Sequence, residues 1–124
     1  MSIPVKIEDL AKTLDDFDTA YLLTAGADGT VKVVCVEVDA DGDSLRIPTG
    51  SKGASRNLAA SSTATLMCPP RKAKGWTLIV DGTAESEGEG FRMSPRGAVL
   101  HRPASHSEAP VVDDGCASDC KPVG

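Results

Sequence analysis

The apolar positions of the chain change period near residue 20. Before it, Ile7, Leu10, Ala11, Leu14 and Phe17 recur at helical spacing, while Glu8, Asp9, Lys12, Asp15 and Asp16 fill the other face. This predicts an amphipathic helix lying across one end of the domain. After it the apolar runs are short and β-branched. Residues 21–24 and 31–38 flank the turn signal Ala27-Asp28-Gly29-Thr30 and predict a hairpin. In the second of these strands Val31, Val33 and Cys35 share one face and Val34, Val36 and Val38 the other, so burial on both sides is expected.

The acidic turn 39–43 leads to a third strand, 44–47, ended by Pro48. A short helix over 54–60 precedes a fourth strand, 64–67, stopped by Pro69 and Pro70. The fifth strand covers 76–80 and continues through Thr83-Ala84, with Gly82 marking a bulge or bend. Residues 91–100 form a sixth strand, which Pro95 and Gly97 weaken and assign to an edge. The pattern is mainly β and antiparallel, and 124 residues suit one core rather than two. Beyond Arg102 the chain turns rich in Pro, Ser and Asp, so 104–124 is expected to be an irregular tail.

Charge adds the first functional hint. The net charge of −5 and an aromatic content of 3% argue against nucleic acid as a partner. No apolar run has the length of a signal-peptide core or a membrane span, so a cytoplasmic protein without a membrane partner is expected. Yet 44–80 contains no Asp or Glu, while Arg46, Lys52, Arg56, Arg71, Lys72 and Lys74 all lie there. Such segregation focuses positive potential on one region. Three of these cations flank Thr49-Gly50-Ser51, where a strand passes through a Gly/Ser turn into a helix. Helix-start N–H groups, glycines, hydroxyls and basic side chains together are what a phosphate group requires. The competing reading is a solvated loop in which Ser51 or Ser55 caps the helix. Neither a nucleotide P-loop nor a dinucleotide GxGxxG is present.

The order of these segments resembles a known family. An N-terminal helix, then Ala20-Tyr21-Leu22-Leu23-Thr24 and Asp28-Gly29, then Leu45-Arg46-Ile47, Thr49 and Arg56-Asn57-Leu58, then Ala64-Thr65-Leu66-Met67 is similar to the pyridoxamine 5′-phosphate oxidase-like FMN-binding split-barrel family. The resemblance covers roughly residues 7–100 and implies a six-stranded antiparallel split β-barrel of Greek-key type, with an N-terminal helix and one short helix, the domain being taken as residues 1–103. It also implies a homodimer that holds FMN, or alternatively a deazaflavin coenzyme or haem. Carried over by position, it assigns cofactor contacts to Arg46, Thr49, Ser51, Lys52, Arg56 and Asn57; Arg71 is added from the charge pattern, its loop 71–74 being read either as surface or as reaching the same phosphate across the barrel. Many relatives place a lysine three residues before the Asn, where this chain has Ala54.

A flavin carries its own hydride chemistry, so no catalytic side chain is assigned and the expected activity is oxidation or reduction of a small substrate. A non-catalytic cofactor-binding or ligand-storage barrel is the alternative. Met67 and Trp76 are read as either ring-site or core residues. His101, His106, Cys116 and Cys120 leave three readings open: a metal site, a Cys116–Cys120 disulfide, or inert thiols. No metal site is assigned.

Overall fold

The computed structural model describes residues 1–106. Its strands are β1 (Ser2–Val5), β2 (Ala20–Ala25), β3 (Val31–Val36), β4 (Asp39–Asp41), β5 (Ser44–Ile47), β6 (Thr63–Cys68), β7 (Thr77–Glu87) and β8 (Gly90–His101). The helices are α1 (Leu10–Leu14), preceded by a 3₁₀ turn at Ile7–Asp9, and α2 (Lys52–Ala60), with a further 3₁₀ turn at Ala104–His106. All strand pairs are antiparallel. The order is β3-β2-β6-β7-β8-β5-β4, and β1 pairs with β8 beside this path.

The sheet is open but strongly curled. β3 and β4 are its two edges, yet only Glu37 and Val38 separate them. A link that short holds the edges within about 11 Å of each other at that corner. The concave face is the core: Leu22, Leu45, Ile47, Leu66, Leu78, Val80, Phe91 and Met93 are at most 2% exposed. Leu10 from α1 and Ala54 and Leu58 from α2 pack onto it from outside the sheet.

Eight strands replace the expected six. β1 was not anticipated, because its four residues carry no alternation of their own and gain order only by pairing with β8, from Ser2↔His101 to Val5↔Ala98. The expected acidic turn at 39–43 contains β4, which folds back on β5 around Gly42. The N-terminal helix is also shorter than its apolar period suggests.

Two positional expectations are overturned. The 31–38 run is an edge strand rather than one buried on both sides, and Val31 and Val33 are 55% and 52% exposed. Valine favours strands on exposed and buried faces alike, so composition alone does not place such a run. Conversely, the strand assigned to an edge is central: β8 pairs along its length with β7, and on its other side with β5 and then β1. Its irregularity is absorbed by a register shift opposite Asp81/Gly82, which steps from the Asp81↔Gly97 pair to Gly82↔Pro95. A bulge there lets Pro95 sit within the ladder despite its missing N–H.

Candidate functional site at the start of helix α2

Helix α2 begins because Ser51 takes extended backbone angles and its Oγ accepts from the Ala54 N–H at 3.3 Å. The Ser51 carbonyl then receives the Ser55 N–H at 2.8 Å. With one first-turn donor capped by the side chain, the N–H groups of Lys52 and Gly53 still lie ahead of any intrahelical acceptor. The preceding loop is held by the β7–β8 hairpin, since a Cβ on Gly50 would lie 2.5 Å from the Glu89 carbonyl.

The helix is docked by a side chain that the sequence assigned to the cofactor. Asn57 Nδ2 donates to Thr24 Oγ1 at 3.1 Å and reaches the Thr24 carbonyl at 3.5 Å. Thr24 is the buried polar residue of the core, at 3% exposure. Asn57 thus fixes α2 over the Thr24 end of the sheet.

Around this first turn the positive groups lie close together. Lys52 and Arg56 are four residues apart, so they share one helix face, and both are exposed. Lys32, an exposed residue of β3, joins them: its aliphatic chain crosses Gly53 so closely that a Cβ there would lie 2.6 Å from its Cε. Among the described residues, none of these three cations is in an ion pair. Thr49, also exposed, stands two residues before the cap. Thr49, Lys52 and Arg56 face solvent, so this end is an open cationic surface on the single chain. Sequence reasoning missed Lys32, because only the β2–β3 register, with Thr24 opposite Lys32, turns it toward α2. Its one sequence signal is a lone cation inside a valine-rich strand.

The remaining expected residues lie elsewhere. Arg46 bonds Asp39 at 3.1 Å, and its cross-strand neighbour is Arg92. Arg92 is itself engaged by Glu87 at 2.9 Å and Asp41 at 3.0 Å, and these carboxylates push its guanidinium pKa up. Arg71 binds Asp18 at 3.0 Å and the Asp15 carbonyl at 2.9 Å. It follows the far end of β6 from α2, roughly 17 Å away along a six-residue strand. The acids that the 44–80 segment lacks therefore come from other strands and loops to neutralise two of its cations. Met67 is half-buried on the convex face and Trp76 half-buried at a barrel mouth, so neither is a core residue. Cys35 is exposed and Cys68 buried. The assignments at Cys116 and Cys120, and residues 107–124 of the tail, lie outside the described residues, while its first three residues form the 3₁₀ turn Ala104–His106.

A concavity opens at the opposite end of the sheet. It holds about 310 Å³ between α1 and the 69–76 segment, and is lined by Phe17, Pro70, Trp76, Leu100, Arg71 and Lys72, among others.

Comparison with known proteins places this geometry. No family model matches the chain. Uncharacterised proteins of Mycobacterium bovis and Mycobacterium tuberculosis are each 33% identical to it over 94% of this chain and 92% of their own length. Among solved structures, a candidate pyridoxamine 5′-phosphate oxidase from Listeria innocua superimposes with a TM-score of 0.61 at 12% identity, over 77% of this chain and 98% of that one. The chain belongs to one family with the two mycobacterial proteins, and its fold is the pyridoxamine 5′-phosphate oxidase-like split barrel. The FAD binding protein of Mycobacterium smegmatis shares this split barrel with a TM-score of 0.58 at 13% identity, over 82% of this chain and all of that one. An F420 reductase shares it at 0.51 and 18% identity, over 81% of this chain and 96% of that one. β3 and β4 are the open edges of this sheet, and α2 packs on its core through Ala54 and Leu58. Among the described residues, no helix is long and apolar enough to cross a membrane.

Proposed function

We propose that this split barrel binds a phosphate-bearing flavin-type cofactor, FMN or a deazaflavin, at the start of α2. The observation that carries the reading is the group of three cations, Lys32, Lys52 and Arg56, without an ion-pair partner among the described residues, around a helix turn that still offers free N–H donors. A phosphate dianion suits that donor set, through the helix dipole and charge-assisted hydrogen bonds. Fold neighbours described as an FAD binding protein and an F420 reductase support the same class of ligand.

The cofactor, when bound, supplies hydride transfer at its own ring. The chain's part is to anchor the phosphate, orient the ring and exclude water, and the reaction is an oxidation or reduction of a small molecule. A shallow groove lined by Leu23, Thr24, Ala25, Val31, Thr63 and Thr65, among others, continues from the Thr24 end of the site over the convex face. We infer that a second copy of the chain covers this face as a homodimer. Val31 and Val33 are half exposed there, beside Tyr21, Leu23 and Met67 in register, which is more apolar surface than a monomer gains by showing to water.

Titration with FMN and with a deazaflavin, followed by absorbance and fluorescence, tests the reading. One of them should bind saturably, and the Lys52→Ala/Arg56→Ala double variant should bind at least tenfold more weakly. Absence of binding to both, or equal affinity in the double variant, overturns it. Sedimentation gives the dimer a separate test, with Val33→Glu expected to yield monomers.

A non-catalytic holder of the same cofactor is the second reading. Among the described residues, the groups with shifted pKa are Asp28, Cys68 and Arg92, and none is poised as an acid or base near neutrality. Turnover of reduced cofactor with candidate acceptors separates the two.

A further inference from the structure

The cleft at the opposite end of the barrel from α2 is built from different chemistry. Phe17 from the segment after α1, Pro70, Trp76 and Leu100 from β8 give it apolar walls, and its volume of about 310 Å³ is at the lower bound for small-ligand pockets. Trp76 is fixed in place, because the Arg102 guanidinium stacks on its ring at 4.5 Å from the centroid. Arg102 is not among the cleft's walls, so the indole keeps remaining surface for a ligand.

The rim decides the sign of that ligand. Arg71 and Lys72 stand on it beside Asp16, with Asp18 already paired to Arg71, so what the rim offers an anion is its unbonded donors. Arg71 spends its Nε on Asp18 and one terminal nitrogen on the Asp15 carbonyl, which fixes the guanidinium while leaving its other terminal nitrogen free of a bond among the described residues. Lys72 is exposed and in no ion pair among them. An apolar slot with an aromatic wall and a held guanidinium at its mouth suits a flat hydrophobic body ending in a carboxylate.

We propose that this cleft is a second binding site, for a planar aromatic carboxylic acid, separate from the phosphate site at α2. The ring packs among Phe17, Trp76 and Leu100, and the carboxylate faces Arg71 and Lys72. The site needs no cofactor, so it stands or falls independently of the flavin reading.

Trp76 is the one tryptophan of the chain, so its indole N–H gives a single resonance that reports on the cleft. The ¹⁵N-labelled full-length protein, free of flavin, is titrated with 2-naphthoate and, in parallel, with the neutral 2-naphthamide. Naphthoate should shift the Trp76 signal saturably and bind at least fivefold more tightly than the amide. Lys72→Ala should weaken naphthoate about threefold to tenfold without changing amide binding, and Lys72→Arg should restore it. An unmoved Trp76 signal, equal affinity for acid and amide, or shifts concentrated at 51–57 would each overturn the proposal. Since Lys72 lies in an exposed loop, an unchanged melting temperature in Lys72→Ala confirms that the loss comes from the rim.

Discussion

Asn57 sits in the short stretch that suggested a cofactor motif, yet its side chain is spent inside the protein. Replacing it with alanine removes the donor that satisfies Thr24 Oγ1 at 3.1 Å, and Thr24 is 97% buried, so water cannot substitute freely. A buried acceptor left without its donor costs about 1–2 kcal/mol. The longer contact to the Thr24 carbonyl, at 3.5 Å, adds little. For a domain of this size such a loss lowers Tm by roughly 4–8 °C. Thr24→Val removes the other partner and should cost less, about 0.5–1 kcal/mol, because Asn57 is only part-buried and its amide can turn to solvent.

The double variant Asn57→Ala/Thr24→Val should then be less destabilised than the sum of the two, by about 0.5–1.5 kcal/mol. Urea unfolding followed by Trp76 fluorescence and far-UV circular dichroism supplies all four corners of the cycle. If the effects add within about 0.3 kcal/mol, the hydrogen bond contributes nothing and the docking argument fails. An Asn57→Ala protein that melts like the parent but no longer binds flavin would mean instead that Asn57 contacts the cofactor directly.

Gly53→Ala should leave stability unchanged or raise it by up to about 1 kcal/mol through helix propensity, while displacing the flexible Lys32 chain and weakening FMN or deazaflavin binding; a thermal melt beside a cofactor titration checks the opposed signs. Gly90→Ala should prevent folding or cost more than about 3 kcal/mol, because its Cβ would fall on the Ile47 carbonyl in the β5–β8 ladder; soluble yield and circular dichroism read this directly. Burial pushes the Cys68 thiol up to about 11 from an ordinary 9.0, so the unfolded chain ionises first and stability should fall as pH rises from about 9 to about 11. That slope should be absent in Cys68→Ala. The Asp28 carboxyl is held below its ordinary 3.8 by hydrogen bonds from Thr30, so its contribution is present above that pH and is lost as pH falls further; Asp28→Asn should flatten this acid limb.

The parts of the fold visible in the sequence are those whose signal is local. The β2–β3 turn, the strand-to-helix passage through Ser51 and the Gly82 irregularity all rest on residues that fix their own backbone. What sequence could not show is set by partners distant along the chain. Val31 and Val33 look like core residues until β3 is known to have no outer neighbour among the described residues, and β8 looks like an edge until the shift at Asp81/Gly82 explains how Pro95 fits. The candidate site divides in the same way. Lys52 and Arg56 were legible as a cationic helix start, Lys32 depended on strand register, and Arg46 and Arg71 were claimed by Asp39 and Asp18, which lie 7 and 53 positions away, respectively.

Pairing β1 with β8 couples the two ends of the described chain. The Met1 ammonium donates to the Arg102 carbonyl at 2.9 Å, and the Arg102 N–H returns a bond to Met1 at 3.1 Å. During synthesis β1 emerges nearly a hundred residues ahead of the part of β8 it pairs with, so this ladder closes only after β8 has been made. An affinity tag placed directly on Met1 would compete with this closure, and a cleavable tag with a spacer is the sounder choice for any refolding measurement.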